Sequence, residues 1–310
     1  MTQKSVFAAI VGRSNVGKSS LLNKILGQKI AIVSSKPQTT RTRIMGVLTK
    51  DETQFVFIDT PGLHKPKNAL GETMVKAVKD GMTDVDVAVL VIDAAPHFKV
   101  DKNNIPSAET ELIERFKAKK IPAILVINKI DLLKDKEEIL NIIGIYNAEY
   151  EFDAVVPLSA KTGSGVDILV GEIEKHKKDS PHFFPDDELT DQSEKVMVAE
   201  IIREKLLRCL SKEIPHGIAV DIEKFYERDT SEGEPILEVE AVIYCEKASH
   251  KGIIIGKGGA ALKKIGSIAR EDIEKFFGIR ANLKLWIKVK EGWRNNRGMI
   301  HTFGLDIKEN

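Results

Sequence analysis

The chain has 310 residues, a formal net charge of +1, 42% hydrophobic and 30% charged residues. That length predicts two domains, or three, at roughly 100–200 residues each, and the composition is that of a globular chain with cores to bury. No apolar run reaches the roughly 18 residues of a membrane-spanning helix, and two cysteines, Cys209 and Cys245, lack the number and spacing for a disulfide framework or a metal site. The opening stretch MTQKSVFAAIVGRSNVGKS does not read as a signal peptide, because its apolar part, Val6–Val11, is short and runs into Gly12. The expectation is a reducing cytoplasm, with both thiols as core filler.

Up to about residue 176, short runs rich in Val and Ile alternate with amphipathic stretches. The first run, Val6–Val11, leads into GRSNVGKS at residues 12–19 and a helical stretch, Lys18–Leu26. This is the phosphate-loop pattern in the strand-to-helix context it requires. A chance Gly-rich turn is the alternative, and that context argues against it. The expected nucleotide-binding residues here are Gly12, Arg13, Ser14, Asn15, Val16, Gly17, Lys18, Ser19 and Ser20. Main-chain amides would nest the polyphosphate oxygens at a positive helix end. Lys18 would supply a point charge to the terminal phosphates, and the Ser19 hydroxyl a ligand for Mg2+.

The run Phe55–Ile58 ends in DTPG, Asp59, Thr60, Pro61 and Gly62. An acidic residue at a strand end beside a phosphate loop is placed to hold Mg2+. The Gly62 amide could sense a γ-phosphate and make the following loop respond to it. Helical stretches Gly71–Lys79 and Ala108–Ala118 flank the run Val87–Ile92. Ala123–Ile127 then leads into NKID at 128–131. Asp131 can accept the donor pair of a guanine edge, which adenine lacks; Asn128 would brace the base and the phosphate loop, and the stem of Lys129 would cover the base face. After the helical stretch Glu137–Ile145, Ala154–Leu158 leads into SAKTG, where Ser159, Ala160 and Lys161 could support the base; Val166–His176 is the last helix of this half. Strand–helix alternation of this kind predicts a doubly wound, mostly parallel α/β sheet.

Four such motifs in this order resemble the translation-factor-like class of phosphate-loop GTPases. The resemblance places KPQTTRTR, residues 36–43, at the first switch, with Thr40, or alternatively Thr39, completing the Mg2+ shell. Switch GTPases of the Ras type carry glutamine after the DxxG glycine, and here the residue is Leu63, which cannot orient water. Slow hydrolysis by positioning and electrostatics is therefore expected, with Lys18, Asn15, Thr40 and Gly62 as the catalytic set. The resemblance implies a potassium ion on Asn15, in place of an arginine finger; the other reading of Asn15 is a simple loop brace.

From Lys177 to Asp191 the chain reads KKDSPHFFPDDELTD, which looks like a linker. The expected division is a nucleotide domain over 1–178, a linker over 179–194 and a second domain over 195–310. The second part reads as α+β: a helix Lys195–Leu210, strands near Ile218–Phe225 and Ile236–Cys245, helices on either side of GKGG at 256–259, and a strand Asn282–Val289. Between Lys247 and Arg297 there are thirteen Lys/Arg against four Asp/Glu, so the remainder of the chain is net negative. A concentrated basic segment points to a polyanion. GKGG in this element order matches the GXXG loop of a type II KH domain, which clamps about four nucleotides; a capping turn is the other reading. The RNA-contact candidates are Ile253, Ile254 and Ile255 as an apolar floor, Gly256, Lys257, Gly258 and Gly259 as the loop, and Lys263 and Lys264 as charge. Trp286 and Trp293 could stack on bases, although Trp286 reads more naturally as a core or interface residue.

GRSNVGKS, KPQTTRTR, DTPGLH, NKID, SAKTG, FPDDELTD, AEIIREKLL, IPHGIAV, IIIGKGG and LKLWIKVKEGW together resemble the Era family of bacterial GTPases over nearly the whole chain. That resemblance implies a cytoplasmic, monomeric GTP/GDP switch with Mg2+ as cofactor and K+ as a second candidate. It also implies binding to the 3′ end of 16S ribosomal RNA on the small ribosomal subunit, a link to the cell cycle, and peripheral association with the inner membrane surface. The family pattern has Pro where this chain has Ser14, and the tail RGMIHTFGLDIKEN departs from the family's ending, so no base-reading residue is carried onto it. Two other classes compete: an RNA-binding module with a vestigial GTPase, disfavoured by intact Lys18, Ser19, Asp59 and Asp131, and a tRNA-modifying or trafficking GTPase, disfavoured by GKGG in a basic α+β domain.

Overall fold

Apolar residues at every position, rather than at alternate ones, mark strands covered on both faces, and β3 (Thr53–Asp59) and β4 (Val87–Asp93) are buried along their whole length. The structure, a computed structural model, describes residues 2–36, 38–63, 66, 68–95, 105–135, 137–210 and 214–305. Pro37 of the first-switch stretch, His64 and residues 306–310 of the tail lie outside these. The chain forms two compact units, Met1–Ala31 with Thr40–Pro66 and Thr73–Asp191, and Ile32–Thr39 with Lys67–Glu72 and Gln192–Asn310.

The first unit holds β1 (Lys4–Val11), α1 (Lys18–Leu26), β2 (Ile44–Lys50), β3, α2 (Ala69–Asp80, begun in the second unit), β4, α3 (Ser107–Lys119), β5 (Ala123–Asn128), α4 (Glu137–Asn147), β6 (Ala154–Pro157), α5 (Val166–Glu174) and β7 (Lys178–Asp179). Strand order is β2-β3-β1-β4-β5-β6, with β7 paired to the start of β1. β1, β3, β4, β5 and β6 run parallel; β2 and β7 are antiparallel additions. One face is covered by α3 and α4, whose Leu112, Phe116, Ile145 and Tyr146 meet Ala88, Leu90 and Ile92. The other carries α1 and α5, where Leu21, Leu22, Leu169 and Ile173 are fully buried. Each such side chain contributes about 1.5–3 kcal/mol of burial. The carboxyl ends of β1, β3, β5 and β6 deliver Gly12, Asp59, Asn128 and Ser159 to one edge, the ligand-binding edge of an open parallel sheet.

Residues 179–191, expected to be a linker, belong to the first unit. Gln54 of β3 is buried and donates to the Phe184 carbonyl at 2.9 Å while its Oε1 accepts from the amides of Phe183 and Phe184 at 2.8 and 3.0 Å. Further along, the Val47 amide donates to the Leu189 carbonyl at 2.9 Å and the Thr190 hydroxyl to the Met45 carbonyl at 2.8 Å.

The second unit has α6 (Glu194–Cys209), β8 (Ile218–Asp229), β9 (Pro235–Cys245), α7 (Ala248–Ile255), α8 (Ala260–Phe277), β10 (Arg280–Val289) and α9 (Arg297–Thr302). β8 and β9 are antiparallel, and β10 returns parallel to β9 after the two helices. Ile265, Ala269 and Ile273 recur every fourth residue on α8 and close the core over Val239, Ala241 and Ile243. Trp293 is fully buried, its indole N–H donating to the Gly217 carbonyl at 3.0 Å. Trp286, read as a core or interface residue, is 56% exposed on β10, which removes the core half of that reading; it stands on the strand face opposite Leu283 and Leu285.

Candidate nucleotide and RNA sites

The phosphate loop runs from the end of β1 to the start of α1. Gly12 and Gly17 have φ of 146° and 102°, and a Cβ on either would lie 2.3 Å from the Val91 carbonyl oxygen or from Asn128 Nδ2; neither position admits a side chain. Asn15 also has positive φ, 66°, and is exposed. Lys18 is buried, its Nζ donating to the carbonyls of Gly12 and Arg13 at 3.1 and 2.9 Å. Burial pushes its pKa down to about 8, against the attraction of Asp59. Val16 is buried, while Arg13, Ser14, Ser19 and Ser20 are half-buried.

Asp59 ends β3 with no exposed surface. Its Oδ2 accepts from the Ser19 hydroxyl at 2.7 Å, and the Thr40 hydroxyl stands 2.9 Å from Ser19 Oγ. Asp59 Oδ1 is buried and has no hydrogen-bond partner. Burial raises its carboxyl to about 6, with Lys18 and the Ser19 hydrogen bond opposing. A buried carboxylate oxygen with no donor, beside two hydroxyls, is an all-oxygen set that suits Mg2+. Of the two switch threonines, Thr40 joins this set, while Thr39 Oγ donates to the Lys36 carbonyl at 2.6 Å.

The residues after Asp59 continue the β1–β3 pairing into the loop. The Thr60 hydroxyl donates to the Ile10 carbonyl at 3.1 Å, and Leu63 pairs with Arg13, its amide donating to the Gly12 carbonyl at 3.3 Å. Between them lie buried Pro61 and Gly62, and Gly62 sits so close to Ser14 that a Cβ would fall 2.5 Å from Ser14 Oγ.

At the base end, Asn128 is buried and knits three segments. Its Nδ2 donates to the Val16 carbonyl at 2.8 Å, and its Oδ1 accepts from the amides of Lys129 and Ala160 at 2.8 and 3.0 Å. The Ala160 amide, expected to support the base, is thus directed at Asn128. Lys129 Nζ donates to the Asn15 carbonyl at 2.8 Å and to Asp93 Oδ2 at 2.6 Å. Asp131 is exposed and accepts from the buried Ser159 hydroxyl at 2.7 Å; Lys161 is exposed.

Two residues outside the motifs join this site. Asp93 ends β4 as Asp59 ends β3, and that parallel was the available signal in the sequence. Glu109 in the first turn of α3 accepts from Arg13 Nε at 2.5 Å and from the Tyr146 hydroxyl; nothing in its local sequence marks it. Burial raises the pKa of Glu109, while Tyr146 and then Arg13 oppose the shift.

In the second unit, α7 and α8 are joined by Gly256–Gly259, where Gly256, Gly258 and Gly259 have φ of 73°, 58° and 80°. No atom stands within 4 Å of a Cβ built at Gly258 or Gly259, so the main chain is open to close approach. Beside this turn is a cleft of about 390 Å3. Gly259, Lys263, Ser267 and Arg270 of the α8 side face Leu283 and Leu285 of β10, with Leu262 and Gly266 completing the lining. Of Ile253, Ile254 and Ile255, expected as an apolar floor, Ile254 is 0% exposed in the core, Ile253 is 53% exposed and Ile255 is half-buried; none of the three lines this cleft, whose apolar surface comes from Leu262, Leu283 and Leu285. Lys257 and Lys264 are exposed near the turn but are not in the cleft lining.

A phosphate loop, a buried carboxylate–hydroxyl set, a guanine-type NKID pocket and a GXXG turn beside an apolar cleft define a GTPase joined to a KH domain. Residues 7–129 match the family described as 50S ribosome-binding GTPase, and residues 213–294 match the KH domain. GTPase Era of Clostridioides difficile (strain 630) is 50% identical over 305 residues, covering 98% of this chain and 99% of that protein. GTPase Era of Ruminiclostridium cellulolyticum is 46% identical over 311 residues, covering 100% of both. The crystal structure of Era in complex with MgGDPNP and nucleotides 1506–1542 of 16S ribosomal RNA superimposes with a TM-score of 0.91 at 36% identity, over 98% of this chain and 100% of that one. An Aquifex aeolicus Era variant bound to GDP·AlF4− gives a TM-score of 0.90 at 36% identity, over the same 98% and 100%. The chain belongs to the Era family of GTPases. Among the described residues no helix is long and apolar enough to cross a membrane.

Proposed function

We propose that the chain is a cytoplasmic, monomeric GTP/GDP switch that binds the 3′ end of 16S ribosomal RNA in its KH cleft and acts in assembly of the small ribosomal subunit. The observation that carries the reading is the pairing, in one chain, of the Lys18–Ser19–Asp59–Thr40 set with a cleft that presents open glycines, Lys263 and Arg270 beside leucines. The proposed RNA contacts are the turn Gly256–Gly259, Lys257, Lys263, Ser267 and Arg270, with bases lying on Leu262, Leu283 and Leu285. Family likeness to a structure with bound 16S RNA supports the choice of RNA. A link to the cell cycle and to the inner face of the membrane rests on family likeness alone.

For hydrolysis, the proposed nucleotide contacts are residues 12–20, Asp59–Gly62, Asn128, Lys129, Asp131 and Ser159–Lys161. Mg2+ held by Ser19, Asp59 and Thr40 supplies charge neutralisation at the terminal phosphates. Lys18 adds a fixed cation, and the Gly62 main chain, seated on Ser14, senses the γ-phosphate. Leu63 carries no group that can orient water, so a cation ligated by Asn15 is proposed to supply the missing charge. K+ is the proposed ion. The test is GTP turnover by the full chain in potassium and in sodium, with and without a 16S 3′-end RNA. Turnover is expected to be slow, to rise with RNA through reciprocal linkage, and to fall in sodium for wild type but not for Asn15→Ala. Turnover indifferent to the cation removes the Asn15 role; RNA that binds neither nucleotide state removes the RNA reading.

A further inference from the structure

Glu109 has no exposed surface and belongs to no nucleotide motif, yet it holds a residue of the phosphate loop. One carboxylate oxygen takes the Arg13 guanidinium at 2.5 Å, and the other takes the Tyr146 hydroxyl from α4. Arg13 is where the loop meets its other working parts. Its carbonyl accepts from Lys18 Nζ at 2.9 Å, and its main chain pairs with Leu63, directly after the γ-phosphate-sensing glycine. The adjoining Gly12 carbonyl accepts from both Lys18 Nζ and the Leu63 amide, at 3.1 and 3.3 Å.

We propose that Glu109, steadied by Tyr146, is a positioning residue for GTP hydrolysis, acting through Arg13 on Lys18 and on the main chain at Gly62–Leu63. This rests on the GTPase reading above. Burying a carboxylate is costly unless it is paired and fully hydrogen-bonded, and an apolar pair of the same volume would hold α3 and α4 together at least as well. What the charged pair adds is a short, charge-assisted hydrogen bond from Arg13 Nε to one carboxylate oxygen, while Tyr146 holds the other oxygen and so fixes the carboxylate it points at. Asp93, whose charge also reaches Glu109, is paired with Lys129 at 2.6 Å. Placement of Lys18 to a fraction of an ångström matters because its worth depends on meeting charge where it develops in the transition state.

The test uses the full chain as wild type, Glu109→Gln, Arg13→Gln and the double variant, with steady-state GTP turnover and GDP affinity measured on each. Glutamine at 109 keeps the volume and an acceptor for Tyr146. Each single variant is expected to lose about tenfold or more in kcat, with GDP affinity of Glu109→Gln, which lies outside the nucleotide contacts, staying within about twofold, and the double variant should be no slower than the worse single, as residues acting as a unit require. Unchanged kcat in Glu109→Gln, additive losses, or GDP affinity of Glu109→Gln falling in step with its kcat would each overturn the assignment. If Glu109→Gln does not fold, half-buried Arg13→Gln reads the same contact, and its unchanged kcat overturns the assignment equally. A wild-type chain without turnover would remove the GTPase reading itself, before any variant is compared.

Discussion

Asp59 and Lys18 are pulled in opposite directions by the same burial, one up to about 6 and the other down to about 8. Below about pH 6 the Asp59 carboxyl carries a proton that Mg2+ must displace, so Mg2+-dependent nucleotide affinity should fall about tenfold per pH unit there. Above about pH 8 free Lys18 loses its charge, and phosphate affinity should fall on that side too. A fluorescent GDP titration across this range should therefore give a bell. Asp59→Asn should flatten its acid limb, and a wild-type profile with no acid limb would contradict the assignment. The residues behind this prediction were legible in the sequence because each sits at a fixed offset in a strand–loop unit. Glu109 was not, because its meaning comes from a loop that α3 meets only in the folded sheet, 96 residues away in the chain. Of the two readings of Trp286, core or interface, its 56% exposure removes the first. Alternation along β10 puts Trp286 on one face and Leu283 and Leu285 on the other, but does not say which face the helices cover.

At the scale of elements, the strap over residues 181–191 is held by Gln54 through three hydrogen bonds to main chain. Gln54→Ala leaves those groups to find water, and should lower stability by about 2 kcal/mol. Urea unfolding of the first unit measures it, with Gln54→Leu expected to lose nearly as much, since volume is not the cause. The parallel strands and helices α1 to α5 were readable, their apolar runs being continuous or helically spaced. β2 and β7 were not: one is a half-exposed antiparallel addition, the other has two residues, Lys178 and Asp179, both charged. The first-switch stretch divides similarly. Thr40 lies with Ser19 in the first unit, whereas residues 32–39 group with the second, where the Val33 amide donates to buried Glu204 of α6 at 3.0 Å and Arg203 to the Thr39 carbonyl. Sequence neighbourhood alone would have kept the stretch whole.

Across the whole molecule, the basic charge gathered between Lys247 and Arg297 is what the proposed RNA would meet. Roughly 0.7 counterions leave per phosphate of a single strand, and a GXXG turn clamps about four nucleotides, so log affinity against log salt should fall with a slope of about −3. Fluorescence anisotropy with a short 16S 3′-end strand measures the slope, and a value near zero would mean that charge does not drive binding. The strap of residues 179–191 has a consequence of its own at this scale. β2 is the outer strand at one end of the sheet, β6 at the other, and Leu189 and Thr190 bond to the main chain of β2. An uncovered outer strand offers its amides and carbonyls to any other chain. A fragment cut at residue 178 would expose that rim and self-associate, whereas one ending at Asp191 would keep its own cover.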